Sequence, residues 1–305
     1  MATRRIGRLM LGLLTALVVL FGGGSIASAK TYYFQGTGPT KDSSADVNMS
    51  TDRDWRAEFA PVYGERTMDQ SVKDGTDRAT DEIAADLSSG TPVTIEGYSL
   101  GAVTVDSVVD RLNQSGVSTS NLTVNVIADG RQPGTGALVV LRPYASQLAA
   151  LGVTAQQPTD QRQTYHCIKF DGVCDMVDPV KDPMGALTRV AGYYLYHGGN
   201  DTKYTYSNKE QLTSSKVTRG NKTIVTYDAP NPINRLTGSM QASAPTTATV
   251  APVQVATEPT YVAPAPIQEQ VQQVWEQTAP IVQQVAPQVV KPITDLASQF
   301  GIALP

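Results

Sequence analysis

Ser99 is the residue whose setting most clearly implies chemistry. It stands at the centre of Gly97-Tyr98-Ser99-Leu100-Gly101, a G-x-S-x-G pattern. A serine hydroxyl is a weak nucleophile until a neighbouring base takes its proton and a third group orients that base. The chain has two histidines and two cysteines in 305 residues, so each is informative. His197 ends the aromatic run Tyr193-Tyr194-Leu195-Tyr196 and opens onto Gly198-Gly199, a setting that can aim an imidazole into a cleft. His166 stands within a strand pattern directly before Cys167. If Ser99 is a nucleophile, His197 fits the base by order and setting. Asp171 is the first candidate for the orienting acid, with Asp175 and Asp178 as rivals.

The flanks of Ser99 are those a nucleophile elbow needs. Thr91 to Glu96 is short, β-branched and opened by Gly90, and predicts a strand. Leu100, Val103, Val108, Val109 and Leu112 recur at roughly helical spacing, with a stop at Asn113 to Gly116. A strand that turns this sharply into a helix strains its central residue, and side chains two positions either way would clash, hence the two glycines. The next backbone N–H, that of Leu100, then points where an oxyanion would form. The plain alternative is a Gly-rich strand-to-helix turn without chemistry.

Other segments predict the surrounding elements. Thr31 to Gln35 reads as a strand and runs into Gly36-Thr37-Gly38-Pro39. The loop after a first strand commonly carries the second oxyanion donor, so Thr37 is a candidate through its N–H and hydroxyl. The periodicity predicts a helix over 68–88, with Val72, Ala79, Ile83 and Leu87 on one face and Gly90 just past its end. Leu122 to Ile127 and Gln163 to Phe170 are further strands. Strands alternating with helices at this spacing predict an α/β fold, with a mostly parallel central sheet and helices on both faces. Ligands of such sheets bind at the carboxyl ends of the strands, where Ser99, Thr37 and Asp171 all fall. The order Ser99, Asp171, His197 is that of an α/β-hydrolase triad.

Residues 1–29 predict a secretory leader. Arg4, Arg5 and Arg8 precede the apolar run Met10 to Phe21, and Ala27-Ser28-Ala29 forms a small-residue cleavage site before Lys30. A single membrane anchor is the alternative, but the apolar run is short for a span. The formal charge is −4 and the leader holds only cations, so the remainder is more acidic still. An acidic protein without a basic stretch is a poor candidate for nucleic acid. In an exported chain Cys167 and Cys174 most simply pair, a short loop worth about 2 kcal/mol of chain entropy. Free thiols or a metal site are the alternatives, and a metal site needs more ligands than lie nearby.

The chain resembles the PE-PPE-domain serine hydrolases, which are similar to cutinases. The matching stretches are Gly36 to Pro39, Gly97 to Gly101, Arg131-Gln132-Pro133-Gly134-Thr135-Gly136, Phe170-Asp171-Gly172 with Asp175, and Tyr196 to Gly199. They occur in the family's order over about residues 30–230. The resemblance implies a cutinase-like α/β-hydrolase domain over 30–236, lipolytic esterase activity on lipid or acyl esters, and no cofactor. Cutinases carry an aspartate bracketed by two cysteines, which favours Asp171 over Asp175. The chain departs from the family in lacking an N-terminal PE or PPE module.

From about residue 237 the composition shifts to Ala, Thr, Pro, Val and Gln. Residues 237–266 read as a disordered linker. Over 267–300, Ile267, Val271, Val274, Ile281, Val285, Val289, Ile293, Leu296 and Phe300 keep a helix-like spacing that Pro280, Pro287 and Pro292 break into short helices. The functional reading of this tail is cell-envelope association; the plain one is a poorly ordered stalk. The leading expectation is an exported carboxylic ester hydrolase with Ser99, Asp171 and His197 as triad and Thr37 and Leu100 as oxyanion donors. An envelope acyltransferase uses the same acyl-enzyme, and a catalytically silent envelope-binding protein is the different-class alternative.

Overall fold

The computed structural model describes residues 28–60, 62–197 and 213–236. The predicted leader, but for its last two residues, and the tail from residue 237 lie outside them, as do Gly198 and Gly199. The described residues form one seven-stranded sheet in the order β2-β1-β3-β4-β5-β7-β6. The strands are β1 (Lys30–Phe34), β2 (Val47–Asn48), β3 (Val93–Tyr98), β4 (Leu122–Ile127), β5 (Gln163–Ile168), β6 (Ser214–Arg219) and β7 (Lys222–Tyr227). All neighbours pair in parallel except β6 with β7. β3 lies between β1 and β4, so its carboxyl end opens at the middle of the sheet edge.

The helices in chain order are α1 (Met49–Asp52), α2 (Met68–Ser88), α3 (Leu100–Gln114), α4 (Ala137–Val140), α5 (Ala145–Ala150), α6 (Pro183–Gly192) and α7 (Pro232–Leu236). Helix α2 begins where its sequence provides a capping box. Gln70 N–H donates to Thr67 Oγ1, and the Gln70 side chain accepts from Thr67 N–H. Two orphan donors of the first turn are satisfied in this way, a device worth about 1 kcal/mol. Helix α2 ends at Ser88, and Gly90 follows with φ of 84°, a conformation that costs glycine nothing.

One face of the sheet packs on α2 and α3. Tyr32, Phe34, Ile95, Val124, Val126 and Tyr165 meet Ala79 and Ile83 of α2 and Val105, Val108, Val109 and Leu112 of α3 in one continuous core. Each such side chain contributes about 1.5–3 kcal/mol by leaving water. The two helices come close at Gly75, where a Cβ would fall 2.7 Å from both Thr104 Cγ2 and Trp55 Nε1. Trp55 fills that region, stacked edge-on against Phe34 and donating its indole N–H to Ser71 O at 2.9 Å. On the opposite face, Ile168 and Tyr227 are register partners and pack with Tyr196, from the helical segment that follows α6. Helical segments therefore lie on both faces, as the alternation of elements predicted. Further along that second face, toward β3 and β4, the side chains are polar. Thr94, Glu96 and Asn125 are half-buried and Thr123 is exposed.

Three local differences from the sequence reading have plain causes. β3 spans 93–98 rather than 91–96, because Pro92 has no N–H for the ladder. β5 stops at Ile168 rather than Phe170, because Phe170 turns with φ of 70° and gives its N–H to Asp175 Oδ2. The aromatic run before His197 is a π-helical turn, Tyr193–His197, continuing α6. Neither α6 nor the β6–β7 hairpin was read from the sequence. Among the described residues, no helix is long and apolar enough to cross a membrane.

Candidate active site

Ser99 occupies the tight turn between β3 and α3, with φ of 55° and ψ of −117°. Only a few per cent of non-glycine residues take positive φ, and they persist where the surroundings over-determine them. Here Ser99 N–H donates to Ile127 O at 2.9 Å and Ser99 O accepts from Ala102 N–H at 2.9 Å, which holds the turn at both ends. The glycines of the pattern are required by close approach. A Cβ on Gly97 would lie 2.5 Å from Gly101 O, and one on Gly101 would lie 2.1 Å from Phe34 O. The elbow thus sits directly on β1, with the Ser99 side chain outside the sheet.

The structure brings Ser99, His197 and Asp171 together. His197 Nε2 lies 2.7 Å from Ser99 Oγ, and His197 Nδ1 lies 2.9 Å from Asp171 Oδ2. Asp171 is fully buried, and its other oxygen, Oδ1, accepts from Val173 N–H at 2.8 Å. A carboxylate held by both an imidazole and a backbone donor is fixed in direction, and it fixes the tautomer of the ring it faces. The rival acids are used otherwise. Asp175 accepts from Phe170 N–H at 2.7 Å and pairs with Arg189 at 3.5 Å, and burial pushes its carboxyl above the ordinary range. Asp178 accepts from Tyr144 OH and Val180 N–H. His166 meets Tyr227 OH at 2.8 Å, in the strand where the sequence put it.

The loop carrying Asp171 is tied at both ends. Cys167 and Cys174 form a disulfide across it, with 5.8 Å between their Cα atoms. The glycine-rich loop after β4 grips the far end. Gln132 Nε2 and Thr135 Oγ1 both donate to Cys174 O, and Ala137 N–H donates to Val173 O at 2.8 Å. That loop is anchored in turn by Arg131, which bonds Asp110 Oδ2 at 2.6 Å and Gln157 O at 2.7 Å and faces Asp106 at 3.3 Å. The sequence reading made Arg131 to Gly136 part of a turn-rich loop and a family stretch. Its role as the clamp on the acid loop depends on a contact across 42 residues.

Asp129, in the same loop, is buried beside Asp106. Burial, then the Asp106 charge, pushes the Asp129 carboxyl well above the ordinary range. Burial likewise pushes Asp106 up to about 6, against the opposing pull of Arg131. A raised native pKa means the folded protein keeps protons that the unfolded chain releases. That stability is fully present below the ordinary carboxylate range and drains away as pH rises through about 6 and beyond. Asp129→Asn keeps an acceptor for Arg131 N–H and has no charge to bury. Its thermal midpoint is expected to exceed that of the wild type at neutral pH and to fall less between about pH 5 and 8. Thermal melts of both proteins across that range check this.

The two candidate oxyanion donors flank the elbow. Leu100 opens α3, where the first N–H groups have no helical acceptor. The Gly36–Pro39 loop lies against the elbow, since a Cβ on Gly36 would fall 3.2 Å from Ser99 Cβ. Thr37 is the next residue. The loop is held by Gln35, a buried side chain whose amide donates to Gly38 O and Pro39 O at 3.2 Å and accepts from Lys41 N–H at 2.8 Å. That clamp was not legible in the sequence, because it depends on burial of a polar side chain at the end of β1. Among the described residues, no three His, Cys, Asp or Glu side chains are placed to hold a metal ion.

Comparison with known proteins adds to this geometry. The structure of lysin B from Mycobacteriophage D29 is 21% identical over 35% of this chain and 49% of that one, with a TM-score of 0.26. The triacylglyceride lipase of Rhizomucor miehei is 22% identical over 34% of this chain and 37% of that one, with a TM-score of 0.20. The chain therefore spans about half or less of either protein. No curated protein matches it. The PE-PPE domain profile matches residues 54–231, a span that starts after the Thr37 loop and holds Ser99, Asp171 and His197. With more than half of its length in that match, on a mostly parallel sheet with a tight strand-to-helix turn at the end of β3, the chain belongs to the PE-PPE domain family.

Proposed function

We propose that this protein is an exported serine esterase acting on lipid or other acyl esters. The observation that carries the reading is the continuous chain Ser99 Oγ to His197 Nε2 at 2.7 Å and His197 Nδ1 to Asp171 at 2.9 Å, at a strained turn. In this reading Ser99 Oγ attacks the ester carbonyl as His197 Nε2 takes its proton. The Leu100 and Thr37 N–H groups hold the resulting oxyanion. Collapse breaks the ester C–O bond, and the leaving alcohol takes the proton from His197. Water then repeats the sequence on the acyl-enzyme, giving the carboxylic acid and free Ser99. Asp171 keeps Nδ1 protonated and stabilises the imidazolium in each half.

Two exposed aromatic side chains support an apolar acyl substrate: Tyr193, which stacks on His197, and its neighbour Tyr194. The PE-PPE family match holds all three proposed triad residues. Export and envelope contact rest on the leader and the tail as sequence alone. The test is a fluorophosphonate probe combined with p-nitrophenyl esters of rising chain length. The probe is expected to label Ser99, located by mass spectrometry, and the esters to turn over. A folded protein that neither takes the probe at Ser99 nor hydrolyses an ester of any length overturns the reading. An acyl-enzyme that forms but passes its acyl group only to sugar hydroxyls would make the protein the acyltransferase instead.

A further inference from the structure

Tyr98 touches all three parts of the site. It is bonded through the backbone to Ser99. Its ring stacks on the His197 imidazole, with centroids 5.3 Å apart and planes 22° from parallel. Its hydroxyl donates to the backbone carbonyl of His197. Its ring also lies against Gly36, where a Cβ would be 2.6 Å from Tyr98 Cδ1. Gly36 precedes Thr37, so the same ring bears on the loop of the second oxyanion donor. A second tyrosine, Tyr193, stacks on the imidazole at 4.9 Å and 21°. Tyr193 is 40% exposed, whereas Tyr98 is half-buried.

We propose that Tyr98 is a positioning residue, a spacer that holds His197 and the Gly36–Thr37 loop at working distance from Ser99, with Tyr193 completing the hold on the imidazole. The proposal rests on the esterase reading above. His197 is the last residue of a π-helical turn, and it must keep Nε2 on Ser99 while Nδ1 stays on Asp171. The bond to Asp171 leaves rotation about that axis open. A ring face stacked on the imidazole restricts this rotation, and the hydroxyl fixes the backbone from which the imidazole hangs. Both tyrosine faces carry the negative side of the aromatic quadrupole, so the same contacts favour the imidazolium that forms as Ser99 gives up its proton. Burial pushes the Tyr98 hydroxyl well above the ordinary phenol range, so it remains a donor throughout. Glycine at position 36 follows from the same arrangement, since a side chain there would displace the ring.

The test is steady-state kinetics on a short soluble p-nitrophenyl ester with Tyr98→Phe, Tyr98→Leu, Tyr193→Leu and Tyr193→Phe, each with its thermal midpoint. Tyr98→Phe loses only the hydroxyl, and kcat is expected to fall about tenfold, the scale of one buried hydrogen bond, with KM within about twofold. Tyr98→Leu should fall further. Tyr193→Leu should lower kcat about three- to tenfold, and Tyr193→Phe should restore most of it, because the stacking face returns. Ser99→Ala is the control that separates the two ideas. Turnover abolished by Ser99→Ala but unmoved in kcat by Tyr98→Phe and Tyr193→Leu overturns the spacer role and leaves the triad. Turnover that survives Ser99→Ala overturns both. A Tyr193→Phe variant no better than Tyr193→Leu, or changes confined to KM, also overturns it. If Tyr98→Leu does not fold, the Tyr98→Phe result and the Tyr193 pair still decide.

Discussion

Ser99→Ala is expected to abolish ester hydrolysis, by roughly 10⁶-fold in kcat, the scale seen when one member of such a unit is removed. The size follows from the geometry. In the proposed reaction the serine oxygen is the atom that bonds to the acyl carbon, and it lies 2.7 Å from His197 Nε2, the atom that would take its proton. The fold should survive the change. Ser99 is half-buried at the mouth of the site, and its backbone bonds to Ile127 and Ala102 do not involve the side chain. The thermal midpoint is therefore expected to stay within a few degrees of the wild type. Turnover of a p-nitrophenyl ester by the folded variant at the wild-type rate would remove Ser99 from the mechanism.

The second large effect is expected at the acid. Asp171→Asn should lower kcat about 10⁴-fold, because the amide carries no charge to stabilise the imidazolium and can hold the wrong tautomer. Asp175→Asn should cost less than about tenfold. Its carboxylate faces Phe170 N–H and Arg189, so its loss loosens a turn and leaves the bond from Asp171 to His197 in place. Measuring both variants on one substrate gives the contrast directly. An Asp175→Asn variant more damaged than Asp171→Asn would move the acid, and a rise in KM alone for either would mean a binding role.

Much of the arrangement around Ser99 was legible because its constraints are local. The glycines at 97 and 101 answer to contacts with their own turn and with the adjacent strand, and the apolar spacing of α3 and the cap of α2 are written within a few residues. Other features were not legible because they join distant segments. Gln35, Gln132 and Thr135 are ordinary polar residues in sequence. Their importance comes from burial and from the carbonyls they reach. Tyr98 is in plain view inside the elbow pattern, yet its contact with His197 spans 99 residues.

By itself the amino-acid sequence determined the elbow, the order of the candidate residues, the alternation of strands and helices, and the pairing partner open to each cysteine. These follow from backbone sterics, helical and strand periodicity and the count of residue types, which act over short stretches. The resemblance favoured Asp171 over Asp175, but only the tertiary structure shows which carboxylate meets His197 Nδ1. The two carboxylates are four positions apart on one loop, and composition treats them alike. The outcome depends on where the disulfide and the loop after β4 direct that loop, with Asp171 turned inward to the imidazole and Asp175 turned back to Phe170 and Arg189. The same holds for the tyrosines on the imidazole. Stacking is a relation between surfaces, and it exists only once β3 and the turn after α6 are brought to the same end of the sheet.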